Sequence, residues 1–161
     1  MGLPGEGGRD MRADLAALRA AYGVTRFRDV AAGVHWPEAF VIITACATTG
    51  STWTPEREAA EDQLLRSALE NRGVWHTRIT GYHPETGHAE PGWAAELSVA
   101  DGCALGRAYR QDAIYTVEGD ELRVVLCEEP QRAERVGGFQ ERLDKKVTEL
   151  IPASPKSPPL F

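Results

Sequence analysis

Thr48-Thr49-Gly50-Ser51-Thr52 gathers hydroxyl side chains immediately before Thr54-Pro55, a pair that opens a helix with a capping oxygen and a first-turn proline. A helix N-terminus presents backbone N–H groups and the positive end of its dipole, so hydroxyls there suit a phosphate or carboxylate. Arg57, one turn on, is placed to add charge-assisted hydrogen bonds. The expected ligand-binding set is Thr44, Thr48, Thr49, Ser51 and Arg57, joined by Glu90 and Gln111, and the expected ligand is small and anionic or polar. The same Thr and Ser residues serve equally well as caps and turn formers, because Glu56 and Glu58 already answer the helix dipole. Neither GxGxxG nor GxxxxGK[ST] occurs, so no nucleotide class is implied.

Three further groups invite chemistry. His76, His83 and His88 stand close to Glu85 and Glu90, and imidazoles with a carboxylate can hold a divalent ion, but spacings of seven and five match no zinc motif. No metal and no cofactor is expected. Cys46 ends an apolar run and would be a nucleophile only with a stabilised thiolate and His76 or His88 as base; inert core packing is the alternative. Gln111 falls where a helix ends and a strand begins, and its amide either bridges orphan backbone groups or reads a ligand. No acid–base pair emerges, so catalysis is left unassigned.

Periodicity sets out the scaffold around these residues. Met11, Leu15, Leu18 and Tyr22 recur at helical spacing between Asp10 and Gly23. Val24–Val30 alternates as a half-exposed strand, and Phe40-Val41-Ile42-Ile43-Thr44-Ala45-Cys46, apolar on both faces, is the expected central strand. Thr54 to Gly73 predicts a helix with Ala60, Leu64 and Ala68 on its apolar face, Leu65 and Leu69 beside them, and Asp62 paired with Arg66. Val74–Tyr82 and Trp93–Leu97 predict strands, and Ser98 caps a helix running to Gln111 in which Gly102 and Gly106 permit close approach. Ala113–Val117 and Leu122–Cys127 flank a turn at Gly119-Asp120. The expected fold class is α+β: one layered domain, a mixed, mainly antiparallel sheet of about five to six strands, and two to three packed helices. Residues 1–9 read as a flexible leader, 10–127 as the domain, and 128–161 as a charged, then Pro-rich tail with a helix at 132–151 interrupted by Gly137-Gly138.

Composition narrows the function classes. The chain has 161 residues and a formal net charge of −6, without the basic excess of a module that grips a phosphate backbone, so no nucleic acid is expected as partner. The longest apolar run is too short to cross a membrane, and the start is neither a signal peptide nor a lipid anchor. Three widely spaced cysteines form no disulfide framework, which points to the cytoplasm.

Several phrases together resemble an uncharacterised bacterial domain family of unknown function. They are Ala21-Tyr22-x-x-Thr25-Arg26-Phe27, Phe40-x-Ile42-Ile43-Thr44-Ala45, the Leu64-Leu65 pair, Glu90, and Leu105-Gly106-Arg107-x-x-x-Gln111-Asp112-Ala113-Ile114-Tyr115. The resemblance spans about Leu18 to Cys127, implies one domain with a short leader and an added tail, and brings no activity with it. After Ile-Thr-Ala the family places Trp or His and then Asn-Pro, whereas this chain has Cys46, Ala47 and Thr48; an Asn in the following helix is replaced near Arg57 or Glu58. A family ligand held by those Asn side chains would therefore be exchanged here for another, or lost. The second functional expectation is a non-catalytic accessory domain that docks on a protein partner through the hairpin edge or the tail, marked by an exposed patch at Trp75 or Phe139.

Overall fold

A computed structural model describes residues 23–47 and 52–144. The leader, the helix expected over 10–22, the loop residues Thr48, Thr49 and Ser51, and the Pro-rich end lie outside the described residues. In chain order the elements are β1 (Arg26–Arg28), β2 (Ala39–Thr44), α1 (Pro55–Arg72), β3 (His76–Tyr82), β4 (Ala89–Ala95), α2 (Val99–Ala108), β5 (Ala113–Glu118), β6 (Glu121–Leu126), β7 (Glu129–Gly138) and a 3-10 turn, Gln140–Arg142. The strands form one seven-stranded sheet in the order β1-β3-β4-β2-β5-β6-β7. Every neighbouring pair of these strands is antiparallel. β2 is the middle strand, as its two apolar faces require.

The α+β class holds, but the sheet has seven strands, antiparallel throughout, where a mixed, mainly antiparallel sheet of about five to six was expected, and the described helices are two. The additional strand is β7, built from residues read as a tail with a helix at 132–151. Residues 132–138 instead belong to a strand paired with β6 through two register shifts, between Leu122/Arg123 and Val125/Leu126. A helix there would carry two adjacent glycines, each costing about 1 kcal/mol relative to alanine. In the strand Gly137 adopts φ +141, a conformation open to glycine, and turns the chain so that Phe139 enters the core, only 1% exposed.

The segment after β7 closes the curl of the sheet. Leu143 bridges to Phe27 on β1, and the Asp144 N–H donates to the Phe27 carbonyl at 2.7 Å. Arg26 Nε donates to Asp144 at 2.8 Å, the Tyr82 hydroxyl donates to the same carboxylate, and Arg142 donates to the Thr25 carbonyl at 3.0 Å. The two ends of the strand order are thus tied across a sequence separation of 118 residues.

The curl separates two apolar layers. Inside lie Phe27, Phe40, Ile42, Ile79, Tyr115, Val117, Leu122 and Phe139, with Trp36 and Trp75 packed against them. The rings meet mostly edge to face, for example Trp36 on Phe139 at 4.9 Å and Phe27 on Tyr115 at 5.2 Å, the arrangement their quadrupoles favour. Outside, Val41, Ile43, Trp93, Ala95, Ile114 and Val125 are covered by Leu65 and Leu69 of α1 and by Cys103 and Leu105 of α2. α2 lies close because its glycines carry no side chain: a Cβ at Gly102 would stand 3.0 Å from both Val41 and Ile114, and one at Gly106 would stand 2.8 Å from the Cys127 sulfur. The apolar stripe of α1 is narrower than its sequence suggests. Leu65 and Leu69 are fully buried one turn apart, whereas Leu64 is 55% exposed.

Candidate functional site

The candidate residues converge where β2 stops. α1 begins as its sequence dictates: Thr54 is extended at φ −67, ψ 155, its side chain accepts from the Arg57 N–H at 3.1 Å, and Pro55 takes the first position. At the other end Gly73, at φ 69, donates to the Glu70 carbonyl and stops the helix. α2 is capped by Ser98, which accepts from the Asp101 N–H at 3.0 Å, and ends at Ala108, shorter than expected. The chain then turns through Arg110 at φ 61, which brings Gln111 beside the end of β2.

Gln111 bridges three groups there. Its carbonyl accepts from the Thr44 hydroxyl at 3.0 Å, and its amide donates to the Cys46 carbonyl at 2.9 Å and the Tyr109 carbonyl at 3.0 Å. Thr44 and Gln111 are therefore brought into direct contact, with the stem of the hydroxyl loop fastened to the end of α2. From the opposite side, the Cys46 thiol points at the Pro91 carbonyl, 3.8 Å away. Glu90 and Pro91 belong to β4, which starts earlier than the Trp93 expected. β2 pairs with β4 only as far as Thr44 opposite Gly92, so the ladder on that side asks for no N–H from Pro91.

The surroundings of Cys46 are acidic. Burial first, then the charges of Glu90, Glu58 and Asp62, push its thiol up to about 12, so it is protonated at neutral pH and is no nucleophile. Cys127 is likewise pushed up to about 12, chiefly by burial, and Cys103 is raised for the same reason. All three cysteines are buried and free.

Arg57 and the histidines are committed elsewhere. The Arg57 guanidinium lies 4.0 Å over the Trp53 ring, a cation–π contact at the exposed start of α1. His88 contacts the Glu90 carboxylate at 3.0 Å, His83 accepts from the Glu85 and Thr86 N–H groups, and His76 is 2.9 Å from the Val74 carbonyl. Among the described residues no group of three His, Cys, Asp or Glu is placed to hold a metal ion.

One cluster was missed by sequence reasoning. Asp62 pairs not with Arg66 but with Arg78 on β3, through two hydrogen bonds of 2.9 and 2.6 Å. Arg78 also lies 4.0 Å over the Trp93 ring, whose indole N–H donates to Asp62 at 3.1 Å, and it donates to the Gly92 carbonyl at 3.2 Å. Arg66 bonds Glu70 instead, at 3.0 Å. The local i,i+4 rule favoured Arg66, and the only sequence signal for the true partner was a lone Arg amid the alternation of β3. The cluster pins α1 to the sheet beside the candidate site.

Residues 43–114 match the model of a family described as a protein of unknown function, DUF3293. No curated protein and no solved structure matches the chain. The DUF3293 match runs from the end of β2 to the start of β5, and so includes every candidate residue together with Asp62, Arg78 and Trp93. Phe27, Phe40, Val117, Leu122 and Phe139 of the inner layer lie outside it. Among the described residues no helix is long and apolar enough to cross a membrane.

Proposed function

We propose that this domain binds a small polar ligand at the loop following β2, and that the ligand presents hydrogen-bond donors or positive charge rather than a phosphate. The observation that carries the reading is the bracing of the loop stem. Gln111 fixes Thr44 and Cys46 from one side, β4 brings Glu90 and Pro91 from the other, and the Thr54 cap fixes the start of α1. A loop rich in hydroxyls, held at both ends by rigid elements, is suited to present its side chains to a ligand.

Charge selects the class. Glu58, Asp62 and Glu90 all act on Cys46; Arg78 balances Asp62, and Glu58 and Glu90 remain, Glu90 with the His88 ring 3.0 Å away. Glu56 and Glu58 stand in the first turn of α1, where an anion would sit, and Arg57 is stacked on Trp53. These positions weigh against an anion and favour an amine or a polyhydroxylated molecule. The protonated thiol supports binding without covalent chemistry, and three buried free cysteines support a reducing, cytoplasmic setting.

The docking alternative lacks its expected mark: Phe139 is buried, and Trp75 packs with Trp36 and Phe40. A thermal-shift panel of amines, polyols, nucleosides and inorganic phosphate tests the proposal, because a ligand that binds only the folded state raises its stability. Stabilisation by an amine or polyol that Thr49→Val and Glu90→Gln both weaken is the expected result. Stabilisation by phosphate alone, or shifts that both variants leave unchanged, would overturn it.

A further inference from the structure

The turn between β3 and β4 carries two imidazoles beside Glu90. It is closed by its own backbone: the His83 N–H donates to the His88 carbonyl at 2.8 Å, and the N–H of Gly87, whose φ is 80, donates to the His83 carbonyl at 2.8 Å. That frame sets where both rings stand. His83 Nδ1 accepts from the Glu85 N–H at 3.2 Å and from the Thr86 N–H at 3.3 Å, which requires that this nitrogen carry no proton. His88 Nε2 lies 3.0 Å from Glu90 Oε2, a contact that a protonated ring turns into an ion pair. Imidazole is the side chain whose charge ordinarily changes between about pH 5 and 8, so acid acts on both contacts.

The two contacts respond in opposite directions. A proton on His83 Nδ1 ends both of its acceptances, whereas a proton on His88 strengthens its hold on Glu90. Glu90 stands opposite Gly81 on β3, which has no side chain to compete for the carboxylate. The other charged or titratable groups gathered at the loop stem are the Cys46 thiol, on which Glu90 and the α1 residues Glu58 and Asp62 all act, and Arg78 of β3, which is paired with Asp62. Among the described residues, His88 is the one basic group within ion-pair distance of Glu90, and His83 has no carboxylate within that distance. We infer, resting on the ligand reading given above, that this turn closes the site to cations in acid: His83 releases its two N–H groups, and protonated His88 takes the Glu90 carboxylate and sets a positive charge where a cationic ligand would bind.

Ethanolamine and putrescine keep their ammonium groups protonated between about pH 5.5 and about pH 8, so calorimetric titration of the full chain with each reads the effect of the protein's own protons. Binding is expected to weaken by about fivefold from the higher pH to the lower, the upper worth of an exposed ion pair. His88→Gln retains a hydrogen-bond donor for Glu90 without a charge that changes; it should bind as the parent does at the higher pH and lose at most about twofold at the lower. Without ligand, the nitrogen-15 amide signals of Glu85 and Thr86 should move over the same pH range in the parent and far less in His83→Asn, whose side-chain oxygen accepts from the same N–H groups without titrating. Circular dichroism confirms that both variants are folded. Equal affinity at the two pH values, a pH dependence that His88→Gln leaves intact, or Glu85 and Thr86 signals that ignore pH would each overturn the regulation and leave the ligand reading standing. Binding of neither amine at either pH would overturn the cationic ligand and its regulation together.

Discussion

The aromatic layer inside the curl and the polar end of the sheet beyond β2 are held together by different forces. The inner layer is made of rings and branched chains from β1, β2, β3, β5 and β6 and from Phe139, and its stability comes from area removed from water and from ring packing. Its members are far apart in sequence, so it closes only when the whole sheet has formed. The polar end depends on directed contacts, Gln111 to Thr44 and Cys46 and Arg78 to Asp62, each weak in net terms yet costly to leave half-made. The family match covers the second region and only part of the first. Under the proposed function, the region tied to binding is the one whose geometry rests on hydrogen bonds, while the inner layer supplies the rigid support.

Substitutions can separate the two. Phe139→Ala should cause the largest loss, about 3–5 kcal/mol in urea unfolding, because it empties a ring-sized space among Phe27, Trp36 and Phe40. A small loss would mean that the segment after Cys127 is peripheral and that the inner layer ends at β6. Asp62→Ala should cost about 2–3 kcal/mol by leaving Arg78 and the Trp93 N–H without their acceptor, less than a fully buried pair because Arg78 is 34% exposed. Combining Asp62→Leu with Arg78→Met should recover much of that loss, and a double variant no better than the single would show that packing, not charge, holds α1 in place.

pH acts on the polar end and on Cys127 through the thiols. Cys46 and Cys127 are raised to about 12 in the folded chain from an ordinary value of 9.0, so the folded state holds more protons than the unfolded one between those values. Their contribution is complete below about pH 9 and falls as pH rises toward 12, with a slope of up to about 1.4 kcal/mol per pH unit for each thiol. Urea midpoints measured from pH 8 to 10.5 should decline, and less steeply in Cys46→Ala. The smallest effect should come from Leu64→Ala, within about 0.5 kcal/mol, although its neighbour Leu65 sits in the core.

Local chemistry made much of this legible in the sequence. Thr54-Pro55 and Gly73 bound α1 because capping needs only the residues beside it, and Gly119, at φ 65, marks the β5–β6 turn for the same reason. Gly102 and Gly106 announced the close packing of α2. β7 was hidden because its residues are charged and its pairing is broken by two register shifts, so neither strand alternation nor a continuous apolar face survives in the sequence. The curl was hidden because Arg26 and Asp144 meet only through the folded sheet. Pro91 masked the start of β4, since a proline is tolerated there only because β2 has already ended, a fact of topology. At the candidate site, Gln111 was legible as a bridge from its place at a helix end, while Glu90 and Arg57 showed their partners only in three dimensions.

The division between support and site can be mapped residue by residue with a nitrogen-15 NMR titration of the full chain, using the amine or polyol that raises its melting temperature. Shifts are expected to be confined to amides of Thr44–Arg57 and of the start of β4 around Glu90 and Gly92, with Val117, Leu122 and Phe139 unmoved. Shifts centred on the inner layer or along β7, with the end of β2 silent, would refute the division.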